Sequence, residues 1–194
     1  MALAYSNIAV EIREISLRDR PEELYRASNK GTVPVLITKD NAVIDESLDI
    51  MIWALRNNPN QSWMDTNPHK ELEIIEINDT VFKGWLDKYK YHDRYPENSK
   101  LFYRDHCSNI IANYEVQLNS SQYLFNDKIS IVDIAIFPFI RQFANVDYHW
   151  FQSNYKNLNC WLAKNCNSIL FNSVMEKYDL WNPNKNKTII KFNH

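Results

Sequence analysis

The sequence KGTVPVL at residues 30–36, followed by DES at residues 45–47, decides the fold of this chain. Residues 33–37 form an apolar, β-branched run that predicts a buried strand, yet Pro34 lies inside it. Because proline has no N–H to donate to a sheet ladder, it belongs at a strand edge, a strand start or a break. A cis Val33–Pro34 bond would leave the backbone N–H and C=O of Val33 available to the backbone of a peptide-like ligand.

The residues around Ser47 predict a second part of the same site. Apolar periodicity predicts a helix over residues 47–57, ended by Pro59. Ser47 can cap this helix, whose N-terminal N–H groups favour a carboxylate, and Glu46 can pair with an ammonium group. Such a corner fits a ligand group that carries both an α-carboxylate and an α-ammonium. The alternative is that Ser47 is only a helix cap and Pro34 only a strand breaker.

These residues, in this order and spacing, resemble the glutathione-binding half of the glutathione transferase family. The resemblance implies that Val33 pairs with the tripeptide backbone of glutathione and that Pro34 is a cis-proline. It implies that Glu46 and Ser47 hold the γ-glutamyl group. Lys30 is a candidate to approach a glutathione carboxylate, the alternative being a free surface lysine.

The resemblance covers nearly the whole chain. It implies an incomplete α/β thioredoxin-like domain at residues 1–57, a linker at 58–67 and an all-α helical bundle domain at 68–194. In the first domain the residue pattern predicts strands over residues 9–15, 33–37 and 42–44, and helices over residues 21–28 and 47–57. In the second domain it predicts helices through residues 74–89, 98–118, 131–143, 155–166 and 169–178.

The sequence SIVD at residues 130–133 has the form of a helix-capping box, with Asp133 in place of the usual Glu. It is similar to a folding motif in the second domain of the transferase family, so it bears on fold and not on catalysis. The helix that follows is apolar nearly all round, which is typical of the core helix of a bundle. Pro138 inside this helix predicts a kink or a break.

The sequence MALAYSN at residues 1–7 reads as the second half of the first helix of that family. In the family, a central strand precedes this helix, with a loop that carries the Cys, Ser or Tyr contacting the glutathione sulfur. The catalytic residue is therefore left unassigned. We expect a fragment, or a start assigned at an internal methionine; the alternative is a shorter protein that has re-paired its sheet.

Composition limits the function classes. The chain has 194 residues, 45% of them hydrophobic and 24% charged, and a formal net charge of −2, so nucleic acid is not an expected partner. Its two glycines exclude a dinucleotide-binding GxGxxG turn and a P-loop. The three cysteines and five histidines show no metal-site spacing, so no metal is expected. With no apolar run long enough for a membrane span, we expect a cytoplasmic protein.

The run KYKYHDRY at residues 88–95 ends the first long helix of the second domain. In the family, the end of this helix faces the electrophilic substrate. Tyr89, Tyr91 and Arg94 are therefore candidates to line a substrate cleft. The alternative is a solvated helix end whose tyrosines cover the core.

The resemblance implies a function. We expect an enzyme that binds glutathione as co-substrate and conjugates it to, or uses it to reduce, a small electrophilic molecule. The alternatives are a non-catalytic transferase-like scaffold or interaction protein, and an inactive fragment truncated at the N-terminus. The resemblance also implies a homodimer whose interface uses the helix from Ser47 and the first two long bundle helices, with Trp53, Trp63 and Trp85 on or near it.

Overall fold

The computed structural model describes residues 1–65 and 68–192, which form two compact units. Unit 1 contains Met1–Gln61 together with the described residues from Ile169 onward, and unit 2 contains Ser62–Ser168. Unit 1 is a small α/β unit with few strands, and unit 2 is helical. This confirms the predicted fold class, while the domain boundaries given above stay a prediction.

The elements follow one another along the chain. The first part contains α1 (Ala2–Tyr5), β1 (Val10–Ile12), α2 (Glu22–Ala27), β2 (Leu36–Ile37), β3 (Val43–Ile44) and α3 (Ser47–Arg56). The second contains α4 (His69–Ile77), a π-helical turn (Asn78–Phe82), α5 (Lys83–Lys90), a 3₁₀ turn (His92–Arg94), α6 (Lys100–Gln117), α7 (Ile131–Val146), α8 (Tyr148–Asn154) and α9 (Lys156–Cys166). The last contains α10 (Ile169–Ser173) and β4 (Thr188–Ile190).

The strands of unit 1 form two separate antiparallel pairs, β1 with β4 and β2 with β3. In the second pair, Leu36 lies opposite Ile44. The strand predicted over residues 33–37 therefore begins only at Leu36, because Pro34 has no N–H for a ladder and the chain bends just before it. The prediction was wrong for the first three residues of that strand.

β1 takes its ladder partner from residues 188–190, a strand that we did not predict. Val10 lies opposite Ile190, and the backbone N–H of Trp181 donates to the carbonyl of Glu14 at 2.7 Å. Lys187 forms an ion pair with Glu11 at 3.2 Å. Within the described residues, β1 thus pairs with a strand from the C-terminal part of the chain and not with β2 or β3.

Unit 2 is built around α7, which has buried residues on most of its circumference. The helix runs through Pro138 without a break, so of the two predicted effects the break is excluded and the kink stays a prediction. The other predicted helices are confirmed, except that α8 was not predicted and the last helix ends at Ser173 and not at residue 178. No described helix is long and apolar enough to cross a membrane.

The predicted capping box at the start of α7 is confirmed. The Ser130 hydroxyl accepts from the backbone N–H of Val132 at 3.2 Å, and the Asp133 carboxylate accepts from the backbone N–H of Ser130 at 3.0 Å. The other oxygen of Asp133 accepts from the Leu124 backbone N–H at 3.0 Å and from the Trp161 indole at 2.8 Å. Asp133, which is fully buried, thus links the start of α7 to the loop at Leu124 and to Trp161 of α9.

Candidate functional site

The backbone of Val33 is open to solvent. The Val33–Pro34 peptide bond is cis, and Val33 is 47% exposed. Within the part of the chain that the structure describes, neither its N–H nor its carbonyl has a hydrogen-bond partner. A backbone donor and acceptor side by side can bind the backbone of an extended peptide.

The turn before Val33 requires glycine. Gly31 has a φ of +59°, and a Cβ at this position would collide with the ring of Tyr25. The Gly31 N–H donates to the carbonyl of Ser28 at 3.1 Å, which closes the turn. Gly31 therefore fixes the path of the chain between Ser28 and Val33.

Three charged side chains meet beside this turn. The Lys30 ammonium donates to the carboxylate of Asp45 at 3.0 Å and to that of Glu46 at 2.5 Å. The second oxygen of Asp45 accepts from the Ser28 hydroxyl at 2.6 Å. The hydrogen bond to Glu46, and then that to Asp45, raises the pKa of Lys30. The Ser28 hydroxyl, and then Lys30, lowers the pKa of Asp45.

Lys30 is therefore not the free surface lysine that we considered. Its ammonium lies on the acidic residues of the corner that the sequence assigned to the γ-glutamyl group. The sequence does not reveal this ion pair, because Lys30 and the two adjacent carboxylates lie on different segments of unit 1.

Ser47 does not cap α3, so this prediction was wrong. The cap position belongs to Glu46, which has the extended backbone of a cap (φ −113°, ψ 135°) but makes no side-chain cap bond. Ser47 is the first helical residue, where its hydroxyl cannot reach the N–H groups that a cap satisfies. In the described structure the Ser47 hydroxyl is exposed and has no partner. The hydroxyl and the first N–H groups of α3 are thus available to an anionic ligand.

A concave surface adjoins this corner through Asp45. It encloses about 410 Å³ and is lined by Val43, Ile44, Asp45, Asp49, Ile52, Trp53 and Arg56. Of these residues, Trp53 is the one that we predicted to lie on or near the dimer interface.

The three cleft candidates differ in exposure. Tyr89 is only 1% exposed and packs against the ring of Phe143, with 5.4 Å between ring centroids. Tyr89 is therefore a core residue of unit 2, and its burial raises the pKa of its hydroxyl. Tyr91 is exposed, and the guanidinium of Arg94 lies 4.7 Å from its ring centroid. Tyr91 and Arg94 therefore form an exposed cation–π pair.

No group of three or more potential metal ligands among His, Cys, Asp and Glu occurs within residues 1–65 and 68–192. Cys107 is fully buried, and burial raises the pKa of its thiol to about 12. A thiol with such a pKa is protonated at neutral pH and is a poor nucleophile.

The sequence matches two family descriptions. Residues 1–63 match "Glutathione S-transferase, N-terminal domain", and residues 95–164 match "Glutathione S-transferase, C-terminal domain". The first match contains every residue of the corner from Lys30 to Ser47. No curated protein matches the sequence significantly.

Solved structures share the fold at low sequence identity. BphK, a bacterial GST in a ternary complex, has a TM-score of 0.76 at 17% identity, over 89% of this chain and 88% of that chain. The glutathione transferase URE2P6 from Phanerochaete chrysosporium, in complex with oxidized glutathione, has a TM-score of 0.76 at 13% identity, over 88% and 85%. A family member from Pseudomonas fluorescens Pf-5 with two glutathione bound has a TM-score of 0.70 at 14% identity, over 88% and 83%.

Proposed function

The chain belongs to the glutathione S-transferase family, and we propose that it binds glutathione through Val33, Glu46 and Ser47. The observation that carries this proposal is the open backbone of Val33, whose N–H and C=O lack partners in the described structure. These groups match the donor and acceptor on the cysteinyl backbone of a tripeptide. Pro34 follows directly and keeps this segment out of the β2 ladder.

The γ-glutamyl end of glutathione carries a carboxylate and an ammonium group. The exposed hydroxyl of Ser47 and the N-terminal N–H groups of α3 suit the carboxylate, because a helix N-terminus stabilises negative charge. The side chain of Glu46 suits the ammonium. Glu46 is 61% exposed and uses one oxygen for Lys30, so its second oxygen is open to a ligand.

Glutathione supplies the reactive group when it is bound, since its thiol becomes a nucleophile as the thiolate. We propose that the bound thiolate attacks a small electrophile or reduces a mixed disulfide. The residues named above bind and orient the tripeptide. Tyr91 and Arg94, which are exposed, stay the candidates to contact the electrophile, by stacking on an apolar group or attracting an anionic one.

We also propose a cytoplasmic homodimer. Ile77 and Val81 lie on the helical segment from α4 to α5 and are 46% and 44% exposed, and exposed apolar side chains along one helix favour a partner surface. Trp63, in contrast, is 3% exposed, so it does not fit the interface for which we considered it. The rings of Trp85 and His106 are stacked, with 4.0 Å between their centroids.

Binding measurements test the proposed site. We expect Glu46→Ala and Ser47→Ala each to weaken glutathione binding by about 1–3 kcal/mol, because each leaves a ligand group without its partner. Isothermal titration calorimetry measures the affinity. Glu73→Ala and Ser120→Ala, two exposed residues of unit 2, are the matched controls and should bind as the wild type does.

If wild type, Glu46→Ala and Ser47→Ala bind glutathione equally well, the site assignment is wrong. If the wild type does not bind glutathione at all, the proposed function is wrong. Binding without conjugation of an aryl halide and without reduction of a mixed disulfide would favour the non-catalytic alternative.

A further inference from the structure

The corner that we assign to a ligand ammonium already holds an ammonium group of the protein. The Lys30 Nζ lies 2.5 Å from the Glu46 carboxylate, and both side chains belong to unit 1. A ligand ammonium that approaches Glu46 meets a positive charge at its own binding position. Two cations on one carboxylate repel each other, so Lys30 opposes the ligand.

Lys30 has a second carboxylate partner, which is held more firmly than the first. Asp45 is bound through one oxygen to the Ser28 hydroxyl at 2.6 Å, and Ser28 is 6% exposed. Glu46 makes no side-chain cap bond to α3 and is 61% exposed. Lys30 can therefore leave the exposed carboxylate of Glu46 and keep its ion pair with Asp45, which the Ser28 hydroxyl holds.

We propose that Lys30 is a specificity-determining residue that competes with the α-ammonium of the ligand for Glu46. This inference rests on the proposed function of the corner. With Lys30 in place, the site distinguishes an ammonium-bearing γ-glutamyl tripeptide less strongly from the same tripeptide with its amine acylated. Asp45 sets the strength of this competition, because Lys30 keeps its ion pair with Asp45 when the ligand ammonium displaces it from Glu46.

The competition is modest, since the side chains of Lys30 and Glu46 are 48% and 61% exposed. Exposed ion pairs are screened by water and salt, so their removal changes an affinity by about two- to five-fold. The effect should shrink as the salt concentration rises.

The test compares two probes: glutathione, and glutathione acetylated at its α-amino group. The measured quantity is the ratio of the two affinities, in which contributions from the carboxylates of the ligand cancel. We expect Lys30→Gln to raise this ratio in favour of glutathione by about two- to five-fold at low salt. Lys39→Gln, which changes the same charge on an exposed lysine of unit 1, should leave the ratio unchanged.

Asp45→Asn adds a second, opposite test. This variant leaves Lys30 with Glu46 alone, so the ratio should fall below that of the wild type. In the double variant Lys30→Gln, Asp45→Asn the ratio should equal that of Lys30→Gln, since Asp45 acts only through Lys30. A further fall in the double variant would show that Asp45 contacts the ligand itself, and would overturn this role.

An unchanged or lowered ratio in a folded Lys30→Gln variant overturns the inference and leaves the proposed function standing. Circular dichroism and thermal unfolding establish that the variant is folded. If neither probe binds to the wild type or to Lys30→Gln, the proposed function is wrong, and the inference falls with it.

Discussion

Tyr103 and Tyr114 are two buried tyrosines of α6. In the described structure the hydroxyl of Tyr103 has a hydrogen-bond partner and that of Tyr114 has none. Tyr103 is fully buried and donates to the carbonyl of Tyr95 at 3.0 Å. Tyr114 is 7% exposed, and its buried hydroxyl has no partner in the described structure. Burial raises the pKa of Tyr114 to about 12, so the hydroxyl is neutral at physiological pH.

We expect the two phenylalanine substitutions to have different effects on the free energy of unfolding. Tyr103→Phe should lower the free energy of unfolding by about 1 kcal/mol, because it removes a satisfied hydrogen bond. Tyr114→Phe should leave it unchanged or raise it slightly, because it removes a polar group that is buried without a partner. Urea unfolding followed by circular dichroism measures both. An equal loss in both variants would show that Tyr114 has a partner in solution.

At the same scale, the sequence predicts the place of Glu46 and Ser47 in the secondary structure better than their contacts. Glu46 and Ser47 could be placed at a helix start from the pattern alone, but a shift of one residue decides which of them is the cap. The ion pair from Lys30 to Asp45 and Glu46 depends on how the turn at Gly31 brings two segments together. No local pattern encodes that approach.

Among the elements, the start of α7 depends most on a single side chain. The Asp133 carboxylate accepts from the N–H groups of Leu124, Ser130 and the Trp161 indole. Removal of this carboxylate leaves three buried donors without an acceptor. Each such donor carries a desolvation penalty of about 1–3 kcal/mol.

We therefore expect Asp133→Ala to lower the free energy of unfolding by at least about 3 kcal/mol. Ser130→Ala removes the cap bond to the Val132 N–H and the hydroxyl's own donation to Asp133, but keeps the three N–H groups on the carboxylate, and should cost about 1 kcal/mol. Asp133→Asn keeps one acceptor oxygen and should lie between the two. Thermal and urea unfolding measure the series. A loss no larger in Asp133→Ala than in Ser130→Ala would contradict the bridging role of the carboxylate.

Elements with strong local signals were predicted well, and short elements with distant partners were not. The capping serines at 99 and 130 and the helical periodicity locate α6 and α7 closely. β4 is only three residues long and exists through its pairing with β1, at the other end of the chain. The residues Asn182 and Pro183 signal a turn before β4, but nothing in the local sequence shows that β1 is its partner.

On the scale of the whole molecule, the proposed homodimer can be tested through the exposed side chains of the segment from α4 to α5. A charge placed in an apolar interface is not solvated there, so we expect Val81→Asp to shift the protein toward monomer. Ile169→Asp is the matched control, because Ile169 is 82% exposed on α10, which is not one of the helices assigned to the interface, and should leave the assembly unchanged. Sedimentation equilibrium at micromolar concentration measures the mass. A monomer mass for the wild type rejects the dimer.

The pairing of β1 with β4 also sets an order of events during synthesis. Residues 10–12 leave the ribosome early, whereas their ladder partner at residues 188–190 leaves after the whole of unit 2. Unit 2, which is continuous in sequence, can build its core while the chain is still growing. Throughout that time β1 is a strand without its partner, and an unpaired strand edge is where nascent chains aggregate or bind chaperones.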